Sequence, residues 1–181
     1  MSITTKTGDD GRTDLLFSRR TEKDAPRIAA CGDVDELSAA IGLAKAHLQE
    51  FESAEKLTTI QQSLIALMGE LATLPEDADQ YAGSRVDKLS IADTGNLNQW
   101  IGEMEDRCLS FKEWALPGGS VPSSHLDFAR TVCRRAERSV VSLSKTGLPD
   151  ESQAVIDLNR LSDLLWLLAR AVDEPPRDQL A

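Results

Sequence analysis

The chain lacks any long apolar run. Its longest is a short stretch around Leu164–Ala169, far below the roughly 18 residues that a membrane-spanning helix needs. The opening MSITTKTGDDGRT carries no apolar core of the secretory kind. Cysteine is scarce: Cys31, Cys108 and Cys133 are the only three and lie far apart. An odd, scattered set closes no disulfide framework, and no CxxC or Cys/His cluster suggests zinc. The expectation is reduced, packed thiols in a cytoplasmic protein with no metal centre. Positive charge is short as well. A formal net charge of −10 argues against nucleic acid, whose phosphates call for a basic surface. A small anion is different, because a local cluster of positive groups suffices for it. There is no internal repeat, no low-complexity tract and almost no strand signal.

What is present is helical spacing. The 181 residues, 41% of them hydrophobic, suffice for one domain with a real core. The first thirty are polar and rich in turn residues, with Gly8, Gly11 and Pro26. After Gly32, Val34, Leu37, Ile41, Ala44 and Leu48 step by three and four. Asp33 and Glu36 fit a capping box at the start of that helix. A second helix carries Leu57, Ile60, Leu64, Leu67, Leu71 and Leu74 before Pro75. A polar loop runs to about Thr94, and Leu97, Ile101, Met104 and Cys108 mark a third helix. Leu116 to Ser120, LPGGS, is a break, with Pro122 in the first turn of a fourth helix. That helix buries Leu126, Ala129, Cys133, Ala136, Val140 and Leu143 and ends near Gly147 and Pro149. A fifth carries Ala154, Leu158, Leu161, Leu165, Leu168 and Val172 up to Pro175 and Pro176. The expected fold is all-α, a five-helix antiparallel bundle. It forms a single domain over 1–181, with an N-terminal segment 1–30, a bundle 31–173 and a tail 174–181.

Two segments carry chemistry. In ARTVCRRAERS, Arg130, Arg134 and Arg138 recur every four residues and line one slowly rotating stripe. Arg135 lies beside them and Glu137 is the local offset. Like charges so placed repel by roughly 0.2–0.5 kcal/mol per pair, so the stripe needs a partner. It reads either as ion pairs with acids on neighbouring helices or subunits, or as a polyphosphate clamp suited to planar guanidinium forks. In TKTGDDGRT, Thr5, Lys6, Thr7, Gly8 and Thr13 form a glycine-bearing turn that can offer N–H groups, hydroxyls and an ammonium to phosphate. The same segment reads equally as a surface turn; it is no Walker motif and no complete EF-hand loop. Asp35 complements the positive helix end. Asn159, off the Leu158–Leu161 seam, is a buried hydrogen bond or a ligand contact. His47 and His125 receive no role.

In order, TKTGDDGRT, Lys23 and Arg27, GDVDELSAAIGLA, LPGG, ARTVCRRAER and LNRLSDLL resemble the propanediol-utilisation type of ATP:cob(I)alamin adenosyltransferase, from about Thr4 to Ala171. The resemblance implies a five-helix bundle in a homotrimer with sites at subunit interfaces. It implies transfer of the 5′-deoxyadenosyl group of ATP, with magnesium, to cob(I)alamin, releasing triphosphate. Thr5, Lys6, Thr7, Gly8, Thr13 and Lys23 would wrap ATP; Arg134, Arg135, Glu137, Arg138 and Asn159 would hold it from the bundle. Asp35 and Arg130 would pair across the interface, and Trp114 would form the corrin-side wall. Partners implied are a flavoprotein reductant and an adenosylcobalamin-dependent mutase or dehydratase. The alternative is a member that binds nucleotide or corrinoid without transfer, as sensor or carrier. It is motivated by departures from the pattern: Trp114 for a usual phenylalanine, Asp127 for a common histidine, Cys31 for a tyrosine, and Leu16, Phe17 and Ser18 for a glycine-rich stretch.

Overall fold

A computed structural model describes residues 4, 6–48, 51–107, 115–149 and 152–173. The expectations for Thr5, Cys108, Trp114 and the tail 174–181 fall outside the described residues. A hairpin opens the chain: β1 (Arg12–Asp14) pairs antiparallel with β2 (Arg20–Glu22), Thr13 opposite Thr21. Six helices follow: α1 (Pro26–His47), α2 (Phe51–Leu71), the single-turn α3 (Ala78–Ala82), α4 (Ile91–Arg107), α5 (Val121–Gly147) and α6 (Ala154–Asp173).

The helix stripes read in the sequence become the core. Leu37, Ile41, Leu57, Leu67, Leu126, Leu158, Leu165 and Leu168 are almost wholly buried, each contributing about 1.5–3 kcal/mol relative to exposure. α5 packs on both α1 and α6, α2 packs on α1 and faces α4 and α6, and α4 covers α6. Arg27 meets Gly147, Asp33 meets Arg135, and His47 meets His125, so α1 and α5 run antiparallel. Ser120 and Ser123 cap α5 reciprocally between side chain and backbone, with Pro122 in the first turn.

Several expectations are corrected. α1 begins at Pro26, not after Gly32, because proline pre-sets a helical φ at the first position. Gly32 is tolerated mid-helix, and a Cβ there would meet nothing within 4 Å. Asp33 and Glu36 therefore cap nothing, and Asp35 lies too far from the helix start to complement its dipole. α2 ends at Leu71, leaving Leu74 and Pro75 outside it. The polar stretch before Thr94 holds α3, and α4 already starts at Ile91. The hairpin was not anticipated; three residues per strand are too few for an alternation to register.

Candidate functional site

The N-terminal segment is fastened to one end of the bundle by two arginines. Arg27 is buried, and its guanidinium donates to the carbonyls of Leu71 (2.6 Å), Thr73 (2.7 Å) and Gly147 (2.7 Å). These carbonyls lie at the C-terminal ends of α2 and α5, where helical acceptors are otherwise unpaired. Burial lowers the Arg27 pKa, yet the guanidinium stays charged, as arginine does in proteins. Arg19 grips Asp77 through two bonds of 2.8 and 2.7 Å, raising the arginine pKa and lowering that of Asp77. The Leu16 N–H donates to the Ala72 carbonyl at 3.0 Å.

On this footing the Thr7–Gly11 loop folds back on β2. The Arg20 guanidinium donates to the Thr7 carbonyl at 2.7 Å, and the Lys23 N–H to the Gly11 carbonyl at 2.9 Å. The Lys23 ammonium lies over Gly8, where an added Cβ would come within 2.9 Å of Nζ. Glycine at this position is what lets the lysine approach. Gly8 and Lys23, fifteen positions apart in sequence, thus meet in one loop that also carries Asp9 and Asp10, with Lys6 exposed beside it and Thr13 half-buried in β1. The turn between the strands places Phe17 (φ 57°) and Ser18 (φ 60°) in the left-handed region, the conformation glycine takes at no steric cost.

The second cluster lies between α5 and α6. Arg134 is half exposed, donates to Ser162 Oγ (3.3 Å) and sits 3.7 Å from Glu137. The Asn159 amide donates to Glu137 at 3.3 Å and its oxygen accepts from Arg160 at 3.1 Å. Arg138 is exposed and donates to the Arg134 carbonyl at 2.9 Å. Arg134, Glu137, Arg138 and Asn159 are therefore neighbours, as anticipated, and Ser162 joins them unanticipated. Mid-helix serine gives no sequence signal of such a role.

The other two arginines of the segment turn elsewhere. Arg135 faces α1, where it donates to Asp33 (3.1 Å) and pairs with Glu36; those acids raise its pKa. Arg130 donates to Asp127 at 3.1 Å, and the same buried carboxylate pairs with Arg170. Asp35 is exposed on α1. Of the ion-pair reading and the phosphate-clamp reading, Arg135 follows the first, with acids of neighbouring α1, whereas Arg130 pairs with Asp127 on its own helix. Arg134 and Arg138 retain outward-facing charge. The histidines left without a role stack at 4.7 Å, joining the end of α1 to the start of α5. Cys133 is buried and Cys31 half-buried, both as free thiols; burial pushes Cys31 up to about 11, so neither is reactive.

The chain as a whole has counterparts of known kind. The cobalamin adenosyltransferase family matches residues 3–172, and the chain belongs to that family. It is 40% identical over 177 residues to the corrinoid adenosyltransferase of Bacillus subtilis strain 168, covering 96% of this chain and 87% of that protein. It is 39% identical over 170 residues to human corrinoid adenosyltransferase MMAB, covering 93% and 67%. Among solved structures, a variant PduO-type ATP:corrinoid adenosyltransferase from Lactobacillus reuteri, complexed with cobalamin and ATP, superposes with a TM-score of 0.85. Sequence identity there is 32%, covering 95% of this chain and 91% of that one.

Proposed function

We propose that the protein transfers the 5′-deoxyadenosyl group of ATP to cob(I)alamin, releasing triphosphate. The observation that carries this reading is the pair Arg134 and Arg138, held by Ser162 and the α5 backbone yet left without a full set of carboxylate partners. The reduced cobalt centre is itself the nucleophile, so the reaction asks for no serine, cysteine or general base. The chain must hold the nucleotide's 5′ carbon in line with the metal and stabilise charge gathering on the departing triphosphate. In this reading Arg134 and Arg138 meet the phosphate oxygens, and Asn159 and Glu137 fix adenosine and the arginine forks. Thr5, Lys6, Thr7, Gly8, Thr13 and Lys23 close over the phosphates from the anchored loop. Among the described residues no three carboxylate, imidazole or thiol groups converge on a cation site. Magnesium would enter with the nucleotide and would supply further charge neutralisation of the departing triphosphate.

The catalytic unit is a homotrimer with its sites between subunits. Exposed Leu43, Val121 and Phe128 on α1 and α5 give such an assembly an apolar surface to cover. Asp35 stands free of Arg130 within the chain and would meet that arginine on a second copy, while Trp114 would wall the corrin side. Reductant and acceptor are a flavoprotein and an adenosylcobalamin-dependent mutase or dehydratase, and the setting is the cytoplasm. The test is spectroscopic. Chemically reduced cobalamin, ATP and magnesium should lose the Co(I) band and gain that of adenosylcobalamin. ATP binding by calorimetry with no conversion would identify a sensor or carrier instead.

A further inference from the structure

Asp127, in the second turn of α5, is only 4% exposed, and a carboxylate is seldom buried so fully unless it is paired. Its Oδ1 accepts from Arg130 Nε at 3.1 Å, three residues on along α5, and its Oδ2 accepts from an Nη group of Arg170 on α6. Among the described residues no other acid pairs with either arginine. The two differ in what they leave over. The Arg170 side chain is 10% exposed and lies beside the Trp166 ring, so its charge is matched within the chain. The Arg130 side chain is 25% exposed and gives Asp127 its Nε edge alone. Among the described residues its two Nη groups meet no acceptor.

One carboxylate between two guanidinium groups leaves a single positive charge over, and with Arg170 enclosed that charge emerges at the outer end of Arg130. A planar fork held by one edge presents its remaining donors in a fixed direction. An arginine left unheld spreads over many rotamers and must give up that freedom on contact. A neutral histidine at position 127 would offer one acceptor and could not hold both arginines. We propose that Asp127 is a positioning residue. It fixes Arg130 by the Nε edge so that the Nη groups meet Asp35 of a second copy, where Asp35 is exposed on α1. The inference rests on the subunit contact between Arg130 and Asp35 in the proposed function, and adds to it the residue that aims the arginine.

Subunit exchange between donor-labelled and acceptor-labelled preparations of the full chain, followed by energy transfer, tests this as a double-mutant cycle. Asp35→Ala should speed exchange about tenfold in the parent, because losses at an interface fall mainly on dissociation. In an Asp127→Asn background, where the amide oxygen serves only one arginine, the same Asp35→Ala change should alter exchange by less than about threefold. A purely structural Asp127 leaves the Asp35→Ala effect at its parental size, and that result overturns the inference while the subunit contact stands. No energy transfer between the preparations, or an Asp35→Ala protein that exchanges like the parent, would remove the subunit contact itself and the inference with it. Should Asp127→Asn not fold for want of a charge opposite Arg170, combining it with Arg170→Met removes both buried charges together. The same loss of coupling is expected there, and an undiminished Asp35→Ala effect refutes the positioning.

Discussion

Two sets of arginines divide this molecule. Arg27 is buried and Arg170 half-buried, and both find partners inside the chain: Arg27 three carbonyls, and Arg170 the Asp127 carboxylate, with the Trp166 ring 5.7 Å away. Arg134 and Arg138 reach into solvent with a hydroxyl, a distant carboxylate and a carbonyl for company. The residue type is the same and the setting opposite: the first set completes the fold, and under the proposed function the second is completed by the nucleotide. Charge alone does not separate them. What does is the number of acceptors each finds within its own chain.

The largest expected effect tests the first set. Arg27→Met leaves buried carbonyls of α2 and α5 unpaired at roughly 1–3 kcal/mol each. A loss of about 3 kcal/mol, or roughly 6–12 °C in melting temperature, should appear by circular dichroism. An unchanged melting point would dissolve the distinction. For the second set, Arg134→Ala should lower kcat/KM by about 10²–10³, the range for removing one donor to a developing anion. Its melting temperature should stay within a few degrees of the parent. A large melting shift with activity intact would move Arg134 into the structural set.

Acids sharpen the same comparison. Asp127 is bracketed by Arg130 and Arg170, whereas among the described residues the Asp157 carboxylate accepts only from Thr94. Burial raises the folded-state pKa of Asp157 from 3.8 to about 6, so the folded protein binds that proton more tightly than the unfolded chain. Its stabilising contribution is therefore fully present below pH 3.8 and is lost as pH rises through about 6. Asp157→Asn should stabilise the protein by about 1–3 kcal/mol at pH 7.5 and by nearly nothing at pH 4. Urea unfolding at the two pH values measures this, and equal effects would contradict it. The smallest effect concerns the hairpin. Ser18→Gly removes a left-handed side-chain clash worth about 1–2 kcal/mol, partly offset by glycine's freedom when unfolded. A net gain of roughly 0.5–1 kcal/mol is expected from denaturant midpoints.

The helical core was legible in advance because a period near 3.6 survives without knowledge of partners. Leu57 to Leu71 on α2 and Leu126 to Leu143 on α5 are buried as their spacing predicts. The errors arose where long-range contacts decide. Asp33 has the identity of a capping residue, but its partner is Arg135, 102 positions away. Gly32 has the identity of a breaker, yet a helix with open space around it accepts one. The candidate site shows the same pattern. The four-residue spacing set Arg135 beside the stripe of Arg134 and Arg138, but nothing local showed that it commits to Asp33 and Glu36 on α1. The approach of Lys23 to Gly8 and the stacking of His47 on His125 follow from turns and helix packing that no short motif encodes.

The Gly147 carbonyl held by Arg27 lies 120 residues farther along the chain. At about 5–20 residues per second, a ribosome takes roughly 6–24 s to cover that distance. An early segment thus waits for a late one to complete its mooring. The anchors of Lys6, Gly8 and Lys23 on residues 71–77 are available early, but the one on α5 is not, so a nascent chain truncated before Gly147 carries the whole loop sequence without that last contact.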